Sequence, residues 1–431
     1  MVACSFSDGR GGNALYFLTM RTFLAVALAS FVLAPAGFSQ STPAQIQART
    51  QSPLPSQSSA VPEFVSPEVH ADGTVTFRIF SPRAMSAAVA VEGTAKPFPL
   101  EKDERGLWQG TVGPLRPDYY SYGFVLDGFR INDPKNPNVR PNLISPTTVV
   151  HVTGDTPQPW DMQDIPHGEV THIFYRSKLV KPDADDDGYR NMWVYTPPGY
   201  DAKRKEKYPV LYLNHGYSDD SNGWTQAGQA NLILDSLLHD GKIQPMVVVM
   251  PLGYGTRKIL TAGWARVGGL IWENEQSFSD QLLHEVIPMA EEKYNIARDR
   301  EHRAIAGLSM GGGHSIYTGL NHPETFAYVG AFSSAVVSPS LPRNGGPSKP
   351  TSEMLDRGFQ EIVPNAKTQQ PLKLFWMSCG TEDGLFPINK AFGEWAKQNI
   401  KGDVQTRSTP GMHTWMVWRD DLVDFTPLLF R

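Results

Sequence analysis

A chain of 431 residues is longer than one typical domain, and 40% hydrophobic with 19% charged residues is an ordinary globular composition, so two domains are expected. The formal charge of −5 is small and spread along the sequence, and no basic run is dense enough to follow a phosphate backbone. Nucleic acid is thereby excluded as a partner.

From Met20 the sequence reads MRTFLAVALASFVLAPAGFSQ: a start residue, one arginine, an apolar run at 23–33, then small residues. This is the layout of a secretory signal, and the run is too short for a membrane span, which needs roughly 20 apolar residues. The reading is a secreted or periplasmic chain with its start at Met20 and cleavage near Ser39 or Gln40. Cleavage there leaves Cys379 as the only cysteine, a small buried residue in a chain without an internal disulfide. The leader is 1–40, and residues 41–61, rich in Ser, Pro, Gln and Ala, form a flexible linker.

Residues 62–155 alternate with period two. TVTFRIF places Val75, Phe77 and Ile79 on one face, and YYSYGFVLDG does the same with Tyr120, Tyr122, Phe124 and Leu126. With AAVAVEG, LWQGTVG and TTVVHV, separated by Gly and Pro turns, these predict a small antiparallel β-sandwich. From 165 to 431 the pattern changes. Apolar strands such as YPVLYLNHG, MVVVMPLG and PLKLFWMSCG alternate with helical stretches such as FSDQLLHEVIPMAEEKY, which predicts an α/β domain with a mainly parallel sheet. DADDDG at 183–188 opens like a calcium loop, but Val194 stands where the bidentate glutamate belongs, so a solvated hairpin turn between two strands is expected.

The chemistry centres on GLSMGGG at 307–313. Gly307, Ser309 and Gly311 have the G-x-S-x-G spacing of a sharp strand-to-helix turn with the serine at its apex. HRAIA before it reads as a buried strand, and HSIYTGLNHP after it as a helix ending before Pro323. A serine hydroxyl needs a base, and the base needs an anion to orient it. On such a fold the acid and then the histidine follow the serine on strand-end loops. CGTEDG offers Asp383, preferred to Glu382 because strand, glycine, then short carboxylate is the expected geometry; GMHTW offers His413. His302, His314 and His322 lie before the elbow strand, on the elbow helix and at its end, where they cannot easily face the hydroxyl. The developing oxyanion needs two amide donors: Met310, after the serine, and Gly216 or Tyr217 in LNHGYSDD. His215 is expected to brace that loop. Trp224, Trp264, Trp272, Trp415 and Trp418 lie near these motifs, and Trp415 is the candidate to line an acyl pocket. No cofactor or metal is implied; HEVIP at 284–288 lacks the second histidine of H-E-x-x-H.

VYTPPGY, LYLNHGY, GLSMGG, CGTED and GMHTWMVWR, in this order, resemble the family 1 carbohydrate esterases. That group includes feruloyl esterases, esterase D and acetylxylan esterases, and is similar to enterochelin esterases. The resemblance runs from about residue 165 to the end and implies an α/β-hydrolase fold. It also implies a triad of Ser309, Asp383 and His413, with Met310, Gly216 and Tyr217 at the oxyanion. The region 62–155, through its strand pattern and RINDPKNP, is similar to immunoglobulin-like early-set modules of the family 48 carbohydrate-binding type, either positioning glycan or bracing the hydrolase. The implied substrate is an acylated plant polysaccharide or oligosaccharide. Trp415 and GWARVGGLIW at 263–272 favour a feruloyl over an acetyl ester, and acetylxylan esterase is the alternative. A serine peptidase or a non-catalytic glycan-binding protein on this fold are the more distant ones.

Overall fold

Period-two alternation in the first domain gives strands with one face buried. In the computed structural model, which describes residues 61–431 apart from 184–185, 263 and 343–349, Val75, Phe77 and Ile79 all point into the sandwich core. The expected signal, and the linker but for its last residue, lie outside the described residues. One antiparallel sheet pairs Glu68–Val69, Val75–Phe80, Leu107–Val112 and Glu101–Lys102; the other is centred on the long strand Asp118–Leu126, flanked by Ala87–Val91 and Thr147–Val152. Phe77, Tyr122 and Phe124 from the two sheets meet ring to ring between them.

The second domain is an eight-stranded sheet. Its strands are β1 (Glu169–Arg176), β2 (Tyr189–Thr196), β3 (Val210–Asn214), β4 (Val247–Pro251), β5 (Arg303–Leu308), β6 (Tyr328–Phe332), β7 (Leu372–Gly380) and β8 (Gly402–Thr409). Their order in the sheet is β1-β2-β4-β3-β5-β6-β7-β8. β1 and β2 are antiparallel, as are β2 and β4; all later neighbours are parallel, as near-continuous apolar runs demand when both faces are covered.

The helices of seven residues or more are α1 (Ala230–His239), α2 (Trp264–Gln281), α3 (Ile287–Lys293), α4 (Met310–Asn321), α5 (Ser352–Ile362), α6 (Phe386–Asn399) and α7 (Trp415–Phe425). Alternate strand residues sort onto two cores. Val210 and Tyr212 face α2 to α6, whereas Leu211 and Leu213 face α1 and α7. The described residues of 183–188 lie in the connection between the antiparallel β1 and β2, but they are not simply solvated. Asp186 turns inward, and Arg190 reaches it with two hydrogen bonds of 2.8 Å each. Burial pushes that carboxyl up, and the guanidinium with the amides of Gly188 and Arg257 outweighs it, leaving a pKa of about 2.

Val61–Arg431 forms one compact unit in which the sandwich and the α/β part interlock. Met416, on α7, is counted in the sandwich core. Arg419, one turn further, is fully buried against Asp118 of the sandwich at 2.6 Å and donates to the carbonyl of Tyr119. The connection between the parts is anchored too: Trp160 packs in the α1/α7 core, and Asp235 on α1 binds both His167 and the amide of Gly168.

Candidate active site

β5 ends at Leu308, and Ser309 turns the chain into α4 with φ +52° and ψ −115°. A residue with a Cβ occupies that region only when its surroundings impose it. Here they do: the Ser309 amide donates to Phe332 O at 2.8 Å, and its carbonyl accepts from Gly313 N and Ala335 N at 3.1 and 2.8 Å. The flanking glycines are a matter of space. A Cβ on Gly307 would lie 2.5 Å from Gly311 O, and one on Gly311 would run into the carbonyls of Asn214 and His215 at the end of β3.

His413, on the loop after β8, brings Nε2 to 3.0 Å from Ser309 Oγ, and its Nδ1 lies 2.7 Å from Asp383 Oδ2 on the loop after β7. With Nδ1–H donating to the carboxylate, Nε2 carries the lone pair that can take the serine proton. Burial pushes the Asp383 carboxyl up, but the hydrogen bond and charge of His413 and the amide of Leu385 outweigh it, so its pKa lies below the ordinary value. Glu382 is exposed, and its amide donates to Gly411 O. The edge of Trp418 packs on the His413 ring, centroids 4.9 Å apart.

Gly216, Tyr217 and Met310 line the same cavity as Ser309 and His413. Gly216 sits so close to the elbow that a Cβ would meet Leu308 at 2.6 Å. Met310 opens α4, so its amide has no helical partner and remains available. His215 is buried and braces the loop: Nε2 accepts from the Gly253 amide and Nδ1 donates to Gly216 O, both at 2.8 Å. Burial lowers its pKa, which keeps it neutral. His314 is buried within the elbow helix, stacked on Phe278 and bonded to Asn274, with a pKa pushed down to about 3 by burial. His302 and His322 pair with Asp299 and Glu324 at the surface.

The cavity holds about 970 Å³. Its apolar wall includes Trp272, Trp415, Trp418, Val336 and Leu341. Trp415 lines the cavity, but only 2% of its surface is accessible, since it packs edge-on between Trp224 and Trp418. Trp224 is fully buried and donates to Asn214 O. The Trp264 side chain lies outside the described residues.

Three lining residues come from the sandwich: Glu92, Arg140 and Asn142. Asn142 Nδ2 donates to Ser218 Oγ at 3.0 Å and to Asp219 Oδ1 at 2.9 Å, and the Leu143 amide donates to Ser218 O at 2.8 Å. These bonds secure Ser218 at φ +72°, next to Tyr217. Nothing local in the sequence marks them, because each lies far along the chain from the loops that form the rest of the cavity.

Comparison with known proteins bears on the family and the fold. The Esterase family model matches residues 187–429, more than half of the chain. An endo-1,4-beta-xylanase/feruloyl esterase of Xylanibacter ruminicola is 29% identical over 370 residues, covering 85% of this chain and 46% of that one. The chain thus spans about half the length of that curated relative. Among solved structures, a ferulic acid esterase from the anaerobic fungus Anaeromyces mucronatus superposes with a TM-score of 0.52 at 24% identity, over 68% of this chain and 97% of that one. The enterobactin esterase of Shigella flexneri superposes with a TM-score of 0.60 at 19% identity, over 82% of this chain and 92% of that one. Both are likenesses of fold, and the second covers more of the chain than the α/β part alone supplies. With its sheet order, its serine elbow and the family match across 187–429, the chain belongs to the Esterase family and has the α/β-hydrolase fold.

Proposed function

We propose that the protein is a secreted serine esterase that hydrolyses acyl esters of plant polysaccharide, feruloyl in preference to acetyl. The observation that carries this reading is the hydrogen-bonded chain Ser309–His413–Asp383 opening into a cavity. Ser309 Oγ attacks the ester carbonyl carbon as His413 Nε2 takes its proton, and the C=O pair moves onto oxygen. The amides of Met310 and of Gly216 or Tyr217 receive that oxyanion. Collapse expels the sugar alkoxide, protonated by His413, and leaves an acyl-Ser309. Water, deprotonated by His413, then releases the acid. Asp383 holds the imidazole in the working tautomer and stabilises its charge.

The feruloyl preference rests on size and surface. A cavity of about 970 Å³ with indole walls suits a planar phenolic acyl group, and apolar contact adds roughly 1 to 3 kcal/mol of discrimination over acetate. The leader from Met20 supports export. Side-by-side release of ferulate and acetate from one batch of plant xylan is the test: ferulate should leave with the higher kcat/KM, and release of acetate alone would discard the feruloyl choice. Ser309→Ala should lower turnover on a nitrophenyl ester by about 10⁶-fold with the fold intact. Near-parental activity in that variant would remove the serine mechanism altogether.

A further inference from the structure

A second cavity, of about 520 Å³, adjoins the first and shares Glu92, Arg140, Asn142 and Ser218 as a common wall. Its outer lining belongs mostly to the sandwich and carries three cations, Lys96, Arg130 and Arg140, none of which is in an ion pair among the described residues. Arg140 is half-buried, and its Nε is shut off from solvent without a hydrogen-bond partner. Partial burial of a guanidinium is costly unless an anion faces it.

The carboxylates nearby are already engaged. Both oxygens of Glu92 accept backbone amides, of Ser121 at 3.0 Å and Trp415 at 2.9 Å. Asp219 is fully buried and takes the Asn142 amide; burial pushes its carboxyl up, against the opposing charge of Arg140. These carboxylates keep their charge, but Lys96, Arg130 and Arg140 against the single carboxylate Glu92 leave the lining of the groove cationic, and a planar fork such as Arg140 matches a carboxylate with two parallel hydrogen bonds. The groove adjoins the cavity that contains Ser309, a placement that suits an anion carried on the same molecule as the ester.

We propose that the sandwich supplies an anion subsite, centred on Arg140 with Arg130 and Lys96, that binds the carboxylate of a uronic acid carried by the glycan whose ester lies at Ser309. This rests on the esterase reading of the site. The subsite selects acyl groups near an acidic sugar, and it makes the sandwich part of substrate recognition.

The test is calorimetric titration of the full-length protein with three unesterified probes: xylotriose bearing one glucuronic acid branch, the same sugar with its carboxyl reduced to the alcohol, and xylotetraose. The acidic sugar should bind about tenfold or more tightly than its reduced twin, as expected for charge-assisted hydrogen bonds. Added salt should narrow that gap. Arg140→Gln should bring the ratio below about threefold, and Arg140→Lys should keep part of it. Equal affinity for the acidic and reduced sugars, no binding of either, or a ratio undisturbed by Arg140→Gln would each overturn the subsite. The acid-against-alcohol comparison needs no variant, so it decides even if a substitution misfolds. Failure of the parent protein to hydrolyse a methyl hydroxycinnamate would instead strike the esterase reading, independently of these affinities.

Discussion

Glu92 Oε1, on the sandwich, accepts the amide N–H of Trp415 at 2.9 Å, and Trp415 opens α7 two residues after His413. One domain thus sets the start of the helix that carries on from the base of the other. A carboxylate at a helix N-terminus is favourable in itself, and here it also limits how the His413 loop can move. Glu92→Ala should lower kcat on a methyl hydroxycinnamate about tenfold, with less change in KM. Glu92→Gln, which keeps an acceptor, should recover most of it. Steady-state kinetics of both variants decide, and a loss confined to KM would place Glu92 in binding alone.

Arg419 and Asp118 are a buried pair that joins the two parts. Removing Arg419 leaves Asp118 out of water with Arg116, at 2.8 Å, as its remaining cationic partner, so Arg419→Met should cost about 3 kcal/mol in urea unfolding. A chain beginning at residue 165 loses Asp118 and also strips Met416 of its packing. It should be insoluble or unfolded, where a separable module would leave activity on small esters intact. A soluble, active fragment would contradict the interlock.

Asp383 and its neighbour Glu382 have opposite surroundings. Asp383→Asn should slow hydrolysis by about 10⁴-fold through the wrong imidazole tautomer and the lost charge, whereas Glu382→Gln should stay within about twofold. The same two variants assayed on a nitrophenyl ester give the answer, and the reverse ranking would move the acid by one residue.

Asp421, on α7, is fully buried; Oδ1 accepts the hydroxyls of Ser378 and Thr409, and Oδ2 has no partner among the described residues. Burial raises its pKa to about 7, with the two hydroxyls pulling the other way. The folded state therefore binds this proton more tightly than the unfolded chain, whose value is about 3.9. The stability it contributes is present below about pH 4 and is lost as pH rises through about 7, at most about 4 kcal/mol in all. Asp421→Asn cannot titrate, so its melting temperature relative to the parent should rise between pH 4.5 and pH 8. A difference that stays constant across that range would refute the assignment.

Much of this molecule is legible from neighbours in sequence. Alternation at Val75, Phe77 and Ile79 is a strand with one buried face whatever lies opposite, and glycines at 307 and 311 make a tight elbow because no larger residue fits between β5, α4 and the end of β3. These are short-range properties of the chain; the serine, acid and histidine motifs are each local too, but His413 and Ser309 meet across 104 positions. The choice between Glu382 and Asp383 is different: the two are adjacent and chemically alike, and only the packing of the β7 loop buries one against His413. Asp186 turned inward to Arg190, and Trp415 enclosed by two other indoles, were settled the same way. The sandwich's share of the cavity was beyond reading altogether, since Glu92 meets Trp415 across 323 positions. Local pattern fixes what each segment becomes, while the contact between two distant segments depends on how whole faces pack, a property that no single stretch of sequence contains.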